Sequence, residues 1–229
     1  MYIADRKRQT KYKVAQNMTN FIPVFPLAIA VFPEEKLNLH IFEPRYKQLI
    51  NESVNTKKPF GIPLVVNGAI SEIGTLVEVT EISKTYENGE MDIKTKGLAI
   101  FNTLEIIREI PEKLYSGAIV SYPENNTDPR PDLIEKISEE IGLLHTLLTV
   151  KKTIQAENRS LVSYDFAHHI GMTLEEEYHF MQLMREDQRL ESIRRHLKKV
   201  IPILSQMEEL KSKIRLNGHF RNLEGFQFE

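Results

Sequence analysis

The pattern of apolar and polar positions predicts β-strands throughout the first half of the chain. Residues 73–83 alternate between apolar and polar side chains, as a strand with one buried face does. Asn-Gly pairs at 67–68 and 88–89 are strong hairpin signals between successive apolar runs. The predicted strands span residues 24–32, 60–66, 73–83, 90–100, 103–110 and 115–122. Six short strands with tight turns indicate a closed or nearly closed β-barrel.

A short helix interrupts these strands, and helical periodicity dominates the second half. Pro44 suits the first position of a helix, so a helix is predicted from Pro44 to about Val54. Beyond a Pro- and Asn-rich linker, apolar residues recur at steps of three or four and predict an amphipathic helix. These apolar residues are Leu133, Ile137, Ile141, Leu144 and Leu148.

Capping signals predict the helices that follow. Ser163 is placed to cap a short helix ending at Gly171, and Thr173 with Glu176 forms a capping box. A long last helix is predicted over residues 189–216, closed by Asn-Gly at 217–218, with a kink at Pro202. Its apolar seam consists of Ile193, Leu197, Val200, Leu204, Met207 and Ile214. The seam is expected to pack on the other helices, with self-association as a weak homodimer as the alternative.

These elements give an α+β fold with a β-barrel followed by a helical bundle. Residues 1–20 have five basic side chains and one acidic one and predict a flexible tail. The predicted organisation is a tail at 1–20, a barrel at 21–123, a linker at 124–131, a bundle at 132–216 and a C-terminal tail at 217–229.

Charge argues against a nucleic-acid partner. The barrel region has ten basic and thirteen acidic residues, and only the last helix is locally basic. Its patch, Arg194, Arg195, Lys198 and Lys199, has no interleaved aromatic residues of the kind that stack on single-stranded bases. The patch is therefore interpreted as the solvated face of an amphipathic helix.

The chain contains no cysteine, which excludes disulfides and thiolate metal sites and suits a reducing, cytoplasmic location. No apolar run reaches membrane-spanning length, so no membrane contact is expected. A basic segment followed by the apolar residues 21–32 imitates a secretion signal. Pro23, Pro26 and Pro33 interrupt that run and favour an extended segment entering a fold.

Catalytic motifs are absent from the sequence. No glycine precedes lysine, which excludes a P-loop, and neither a nucleophile elbow nor a Gly-x-Gly-x-x-Gly pattern occurs. His168 and His169 are adjacent and face different directions, and His179 lies beyond a helix break near the acidic residues 175–177. That spacing does not suit a metal site. We therefore predict no catalytic residue, no metal and no cofactor.

Residues 23–52 (PVFPLAIAVFPEEKLNLHIFEPRYKQLINE) resemble the start of the Lon protease amino-terminal domain, also called the LON substrate-binding domain. The family pattern has a Pro-Leu strand, a Phe-Pro turn, a Leu-x-Ile-Phe-Glu-Pro-Arg-Tyr stretch and a helix. The matching positions are Pro26, Leu27, Phe32, Pro33 and residues 39–46.

Further matches extend the resemblance to about residues 21–216. Ile73-Gly74-Thr75 is followed by Val79 and Ile82, and Gly97-x-x-x-Phe101 ends the second match. The family usually has arginine before that phenylalanine, where this chain has Ile100. Residues 183–190 resemble the helical part of the family, in which a long helix ends in an Arg-Leu pair.

The resemblance implies a PUA-like β-barrel, a helical bundle and a surface that recognises unfolded or partner proteins. Full-length Lon also has ATPase and Ser-Lys peptidase modules, and their motifs are absent here. A stand-alone, non-catalytic form that acts as an adaptor or scaffold is therefore expected.

The Phe-Glu-Pro-Arg-Tyr motif is interpreted as architectural. Glu43 would lie near the positive end of the helix dipole, and Pro44 would begin the helix. Arg45 would lock the helix onto the barrel through a bidentate carboxylate pair, with Phe42 and Tyr46 filling the space between.

The expected ligand site is a groove between barrel and bundle that binds polypeptide. The candidate polypeptide-binding residues are Phe32, Leu39, Phe42, Tyr46, Tyr86 and Phe101. Phe220, Phe226 and Phe228 are expected to lie beyond the last helix and to fold back onto that groove or anchor a partner. The alternative functions are RNA binding through the barrel and an unrecognised hydrolase activity.

Overall fold

The computed structural model describes residues 19–128, 130–150 and 162–220. These residues form two compact units. The sheet unit contains the described residues up to Thr127 together with Met172–Arg185, and the helical unit contains those from Asp128 to Gly171 and from Glu186 onward. The sequence predicted one boundary, at residues 124–131, so the return of the chain to the sheet unit is a correction. Most of the predicted N-terminal tail, as well as Phe226 and Phe228, lies outside the described residues.

Six strands form one antiparallel sheet in the sheet unit. They are β1 (Asn20–Pro23), β2 (Lys36–Ile41), β3 (Phe60–Val66), β4 (Ala69–Thr85), β5 (Met91–Ile107) and β6 (Gly117–Ser121). Their order is β1-β6-β5-β4-β3, and β2 pairs with β5 off this path. Isolated parallel bridges join Val24 to Gly61 and Leu27 to Leu64, but within the described residues no continuous ladder closes the sheet. The α+β class and the number of strands, six, are confirmed, whereas closure of the barrel is not.

Both predicted Asn-Gly turns are confirmed. Asn67 and Gly68 have φ values of 51° and 78°, and Gly89 has a φ of 75°. In the first turn both residues have the positive φ that matches the right-handed twist of the flanking strands, which is why Asn-Gly is favoured there. The second turn is a three-residue loop closed by the Tyr86 N–H and the Glu90 carbonyl, and in it Gly89 takes the left-handed position. The second turn joins the two 17-residue strands β4 and β5, which pair from Ile73 with Asn102 to Thr85 with Met91.

Three strand predictions need correction. Residues 24–32 do not form a strand, since Pro26 has no N–H to donate to a ladder. Residues 103–107 continue β5 through a register shift at Thr103, so no separate strand covers 103–110. Strand β2 was missed, although its sequence KLNLHI alternates apolar and polar residues.

The structure contains four α-helices and one 3-10 helix within the described residues. They are α1 (Pro44–Thr56), α2 (Pro131–Leu147), the 3-10 helix (Ser163–His169), α3 (Leu174–Met181) and α4 (Glu186–Phe220). Helix α4 runs past the Asn-Gly pair at 217–218 that was predicted to end it, so Phe220 belongs to this helix and not to a tail beyond it. Pro202 lies inside α4, and the kink there stays a prediction.

Two predicted helix starts are confirmed and one is wrong. Helix α1 begins at Pro44, as expected. Thr173 Oγ1 accepts from the Glu176 N–H at 3.2 Å, and the Glu176 carboxylate accepts from the Thr173 N–H at 2.8 Å, which completes the capping box. Ser163 is not a cap, because Val162 precedes the 3-10 helix and the Ser163 hydroxyl donates to Glu186 instead.

Two apolar clusters form the core of the sheet unit. The larger cluster packs α1 on the sheet through Leu49 and Ile50, and the smaller one surrounds Phe101. Gly97 allows β5 to pass close to the turn after Phe32, since a Cβ at Gly97 would collide with the Phe32 carbonyl oxygen. The Gly97 N–H donates to the Glu35 carbonyl at 2.8 Å, and its own carbonyl accepts from the Glu34 N–H at 2.9 Å.

Helix α3 belongs to the sheet unit because its side chains pack there. The Phe180 ring meets the Phe32 ring edge-on, with centroids 5.7 Å apart. Asn67 Nδ2 donates to Glu175 Oε1 at 2.9 Å, which ties α3 to the β3–β4 turn. Both phenylalanines are buried, so α3 covers apolar surface that the strands alone would leave open.

The core of the helical unit is formed by α2, the 3-10 helix and the first turns of α4. Its buried apolar residues include Ile134, Ile137, Ile141, Leu144, Phe166, Ile170, Leu190, Ile193 and Leu197. Leu148 is exposed because α2 ends at Leu147. The Arg189-Leu190 pair lies near the start of α4, not at the end of a helix as the resemblance implied, and Arg189 is fully buried.

The predicted seam of α4 is buried only in its first part. Ile193 and Leu197 are buried, whereas Met207 and Ile214 are 50% and 61% exposed. The expectation that the whole seam packs on other helices is therefore wrong for its second part.

Candidate polypeptide-binding surface

The Glu-Pro-Arg motif builds the start of α1. Glu43 is the N-cap residue, and its carbonyl oxygen accepts hydrogen bonds from the Tyr46 and Lys47 N–H groups. Arg45 does not form the expected bidentate pair with the barrel. Its Nε and Nη2 both contact the same Glu43 oxygen, at 2.9 and 2.8 Å, and the guanidinium is largely exposed. The pair therefore stabilises the helix start locally, and Arg45 does not lock the helix onto the sheet.

The two aromatic residues of the motif have opposite surroundings. The Tyr46 ring stacks on Phe25 with centroids 3.9 Å apart, and this partial burial raises the pKa of its hydroxyl. Tyr46 thus packs helix α1 on the sheet unit as expected. Phe42 is 58% exposed and does not fill the space beneath the helix, which corrects the interpretation of that residue.

Tyr46 also lines an open depression of about 310 Å³ on the sheet unit, which we name the Tyr46 depression. It is lined by Val24, Pro26, Arg45, Tyr46, Ile70, Ile106, Arg108 and Ser116. Val24 is buried in the smaller core cluster, and Ile106 packs against that cluster, so the floor is part of the core. Ile70, at the start of β4, is 45% exposed. A firm apolar floor with exposed apolar sides suits the seating of a hydrophobic side chain.

The two charged side chains that line the Tyr46 depression, Arg45 and Arg108, are both positive. Arg45 is paired with Glu43, whereas Arg108 is exposed and forms no ion pair with any residue of the described part of the chain. The backbone of Arg108 is fixed by Ser116, whose Oγ donates to the Arg108 carbonyl at 3.1 Å. The Val24 N–H donates to the Ser116 carbonyl at 2.9 Å, so these backbone groups are already satisfied.

A second exposed group lies at the end of the β2–β5 pairing. His40 lies between Phe42 and Tyr86, with ring centroids 6.2 and 5.7 Å away. Asp92 joins the group through its two oxygens, which lie 2.7 Å from His40 Nδ1 and 2.7 Å from the Tyr86 hydroxyl. The hydrogen bond with Asp92 raises the pKa of His40, and the same bond lowers the pKa of Asp92. The structure thus places Phe42 and Tyr86 on either side of a hydrogen-bonded His40–Asp92 pair.

The remaining predicted site residues lie deeper in the fold. Phe32 and Phe101 are 1% and 0% exposed, so they are core residues without surface for a ligand, and their assignment to the binding site is wrong. Leu39 is partly buried against the larger core cluster. Ile70 and Arg108 were missed because the hairpin was predicted too short: its first strand was expected to begin at residue 73 and its second to end at residue 100, whereas β4 begins at Ala69 and β5 continues to Ile107.

No group of three or more histidine, aspartate or glutamate side chains is placed to hold a metal ion within the described ranges. No helix in the described part of the chain is both long and apolar enough to cross a bilayer.

Comparison with known proteins places the chain in a family. Residues 22–199 match the family described as the ATP-dependent protease La (LON) substrate-binding domain. A Lon N-terminal domain protein from Xanthomonas campestris has a similar fold, with a TM-score of 0.57 and 20% identity, over 76% of this chain and 96% of that one. The N-terminal domain of the Mycobacterium avium complex Lon protease gives a TM-score of 0.58 at 9% identity, over 79% of this chain and 100% of that one. At these identities the two structures establish the fold alone. Because the family match covers well over half of its length, this chain belongs to the LON substrate-binding domain family.

Proposed function

We propose that this chain recognises extended polypeptide segments and does so as a non-catalytic adaptor. The observation that carries the proposal is the Tyr46 depression, an open apolar site on a core floor in a chain of a substrate-binding family. The exposed Phe42 and the partly buried Tyr86, both beside His40, provide a second aromatic contact on the same unit. Together they offer shaped surface for apolar side chains of a bound segment.

The size of the site predicts weak binding. Seating one large apolar side chain contributes about 1.5–3 kcal/mol. A dissociation constant of 1 mM requires about 4 kcal/mol of net binding free energy, and association itself costs several kcal/mol, so one such anchor alone binds more weakly than about 1 mM. Tight capture would therefore need several apolar anchors along one polypeptide, as an unfolded chain provides and a folded surface rarely does.

The RNA-binding alternative has less support. The segment that forms most of the sheet unit, residues 21–123, has thirteen acidic and ten basic residues, and such a balance repels a polyanion.

The cytoplasmic location and weak dimerisation through α4 stay predictions from the sequence. The exposed residues Met207, Leu210 and Ile214 are the part of α4 where such dimerisation would occur.

The substitution Ile70→Asp tests the proposed site. Binding of a fluorescein-labelled, Gly-Ser-rich peptide with a central Leu-Phe-Val is followed by fluorescence anisotropy. Because Ile70 is partly exposed, the variant should fold, and a charge on the depression should weaken binding about tenfold. Leu104→Asp is the matched control, since Leu104 is an exposed apolar residue of β5 outside the depression.

Equal weakening by the two aspartate variants, or absence of binding to the natural chain, would contradict the proposal. The same peptide is also incubated with the protein, without ATP, and its mass is measured. Cleavage that a single point variant abolishes would establish the hydrolase alternative instead.

A further inference from the structure

We infer that the Tyr46 depression selects segments in which an apolar residue is flanked by aspartate or glutamate. The inference rests on the proposed function and adds the chemistry of the substrate. Its basis is the exposed Arg108 guanidinium, which lines the depression together with Arg45 and has no carboxylate partner in the described part of the chain.

Arginine at the side of an apolar site favours a carboxylate over other groups. The guanidinium presents its N–H donors in a rigid fork that matches the two oxygens of a carboxylate. Arg45 is already held by Glu43, through Nε and Nη2 on one oxygen. Arg108 is therefore the group that gains most from an incoming acid.

The carboxylate is expected to be a side chain of the segment and not a chain terminus. Capture of a terminal carboxylate typically uses converging backbone N–H groups. At this depression the Val24 N–H donates to the Ser116 carbonyl and the Tyr46 N–H donates to the Glu43 carbonyl, so these donors are occupied. The depression is also open to solvent, as a site for an internal residue of a polypeptide must be.

The same charges act against other segments. A lysine or arginine beside the apolar residue would face Arg45 and Arg108, and like charges at short range disfavour binding. The specificity is therefore expected to come as much from rejection of basic segments as from attraction of acidic ones.

Three fluorescein-labelled peptides test the inference: Gly-Ser-rich chains with a central Leu-Phe flanked by two Asp, two Asn or two Lys residues, all amidated at the C-terminus. The full chain should bind the Asp peptide about fivefold more tightly than the Asn peptide, which is the range of an exposed ion pair, and the Lys peptide most weakly. High salt should reduce the preference. In Arg108→Gln the Asp and Asn peptides should bind equally, and Arg108→Lys should restore part of the difference.

Arg194→Gln is the matched control. It removes one exposed arginine and the same charge from the helical unit, and it should leave the preference for the Asp peptide intact. Equal binding of Asp and Asn peptides to the natural chain, with both weakened by Ile70→Asp, would overturn the acidic preference and leave the proposed function standing. Absence of binding by all three peptides would overturn both. Tighter binding of a single-stranded RNA oligonucleotide than of the Asp peptide, lost in Arg108→Gln, would assign the arginine to phosphate and overturn the inference.

Discussion

Arg189 is the largest fully buried side chain in the described part of the molecule, and its charge is compensated inside the helical unit. Its Nη2 donates to Glu186 Oε2 at 2.8 Å, and its Nε donates to Ser163 Oγ at 2.8 Å. Glu186 also accepts from the Ser163 N–H and hydroxyl. The Arg189 guanidinium lies over the Tyr164 ring, 4.3 Å from its centroid. The hydrogen bonds of Ser163 to this intrahelical ion pair thus join the 3-10 helix to the first turn of α4.

The substitution Glu186→Ala should destabilise the helical unit strongly. Removal of one partner leaves a buried positive charge and costs about 3–5 kcal/mol of unfolding free energy. Glu191→Ala breaks the exposed pairs with Arg194 and Arg195 on the same helix and should change the unfolding free energy far less, because solvent screens exposed pairs. Urea unfolding followed by far-UV circular dichroism measures both, and equal losses would show that the buried pair contributes no more than the exposed ones.

At the scale of elements, the sequence indicated those strands and helices whose signals are local. Both Asn-Gly turns, the Pro44 start and the Thr173 capping box were found because each depends on a few adjacent residues. The predicted strand over residues 24–32 failed because apolar composition does not distinguish a proline-broken segment from a strand. The division of β5 at Thr103 failed because a register shift interrupts the alternation without ending the strand.

The candidate site was predictable only in part, because local signals do not show how residues of different elements come together. Tyr46 was found through its motif, whereas Ile70, Ile106 and Arg108 come together only because the β4–β5 hairpin is longer than the sequence predicted. Phe32 and Phe101 were misplaced because aromatic residues serve cores and ligand sites equally well, and only the packing shows which.

Glycine substitutions test how closely the elements pack. Gly97→Ala would place a Cβ against the Phe32 carbonyl oxygen, and a backbone atom cannot rotate away, so we expect a loss of about 1–3 kcal/mol. Gly142 lies inside α2, and apart from the backbone of that helix no heavy atom of the described residues lies within 4 Å of the position that a Cβ would take. Gly142→Ala should therefore raise stability by about 0.5–1 kcal/mol through helix propensity. Thermal unfolding of the two variants should show shifts of opposite sign, and a neutral Gly97→Ala would contradict the close approach.

At the scale of the whole molecule, the chain passes between its units three times. It leaves the sheet unit after Thr127, returns for Met172–Arg185 and leaves again at Glu186. The returning segment contributes the Phe180 contact with Phe32 and a hydrogen bond from the Asn126 N–H to the Met184 carbonyl at 2.8 Å. The sheet unit is therefore incomplete without residues that follow α2 and the 3-10 helix.

A chain that ends at residue 131, the end of the predicted linker, should consequently be less stable than one that retains α3. Without α3 the buried Phe32 becomes accessible, and we expect binding of the dye ANS and a lower unfolding midpoint. The control is a chain in which a Gly-Ser linker replaces residues 128–171 and which ends at residue 185. It should bind little dye, and equal dye binding by both chains would mean that α3 does not complete the core.

This interleaved connectivity also has a consequence for biosynthesis. After Thr127 has left the ribosome, about 60 more residues must be made before Arg185 emerges, which takes roughly 3–12 seconds at ordinary translation rates. During that interval the face around Phe32 stays uncovered on the ribosome. During its synthesis, a protein that is proposed to recognise extended polypeptides would thus itself expose apolar surface to which chaperones can bind.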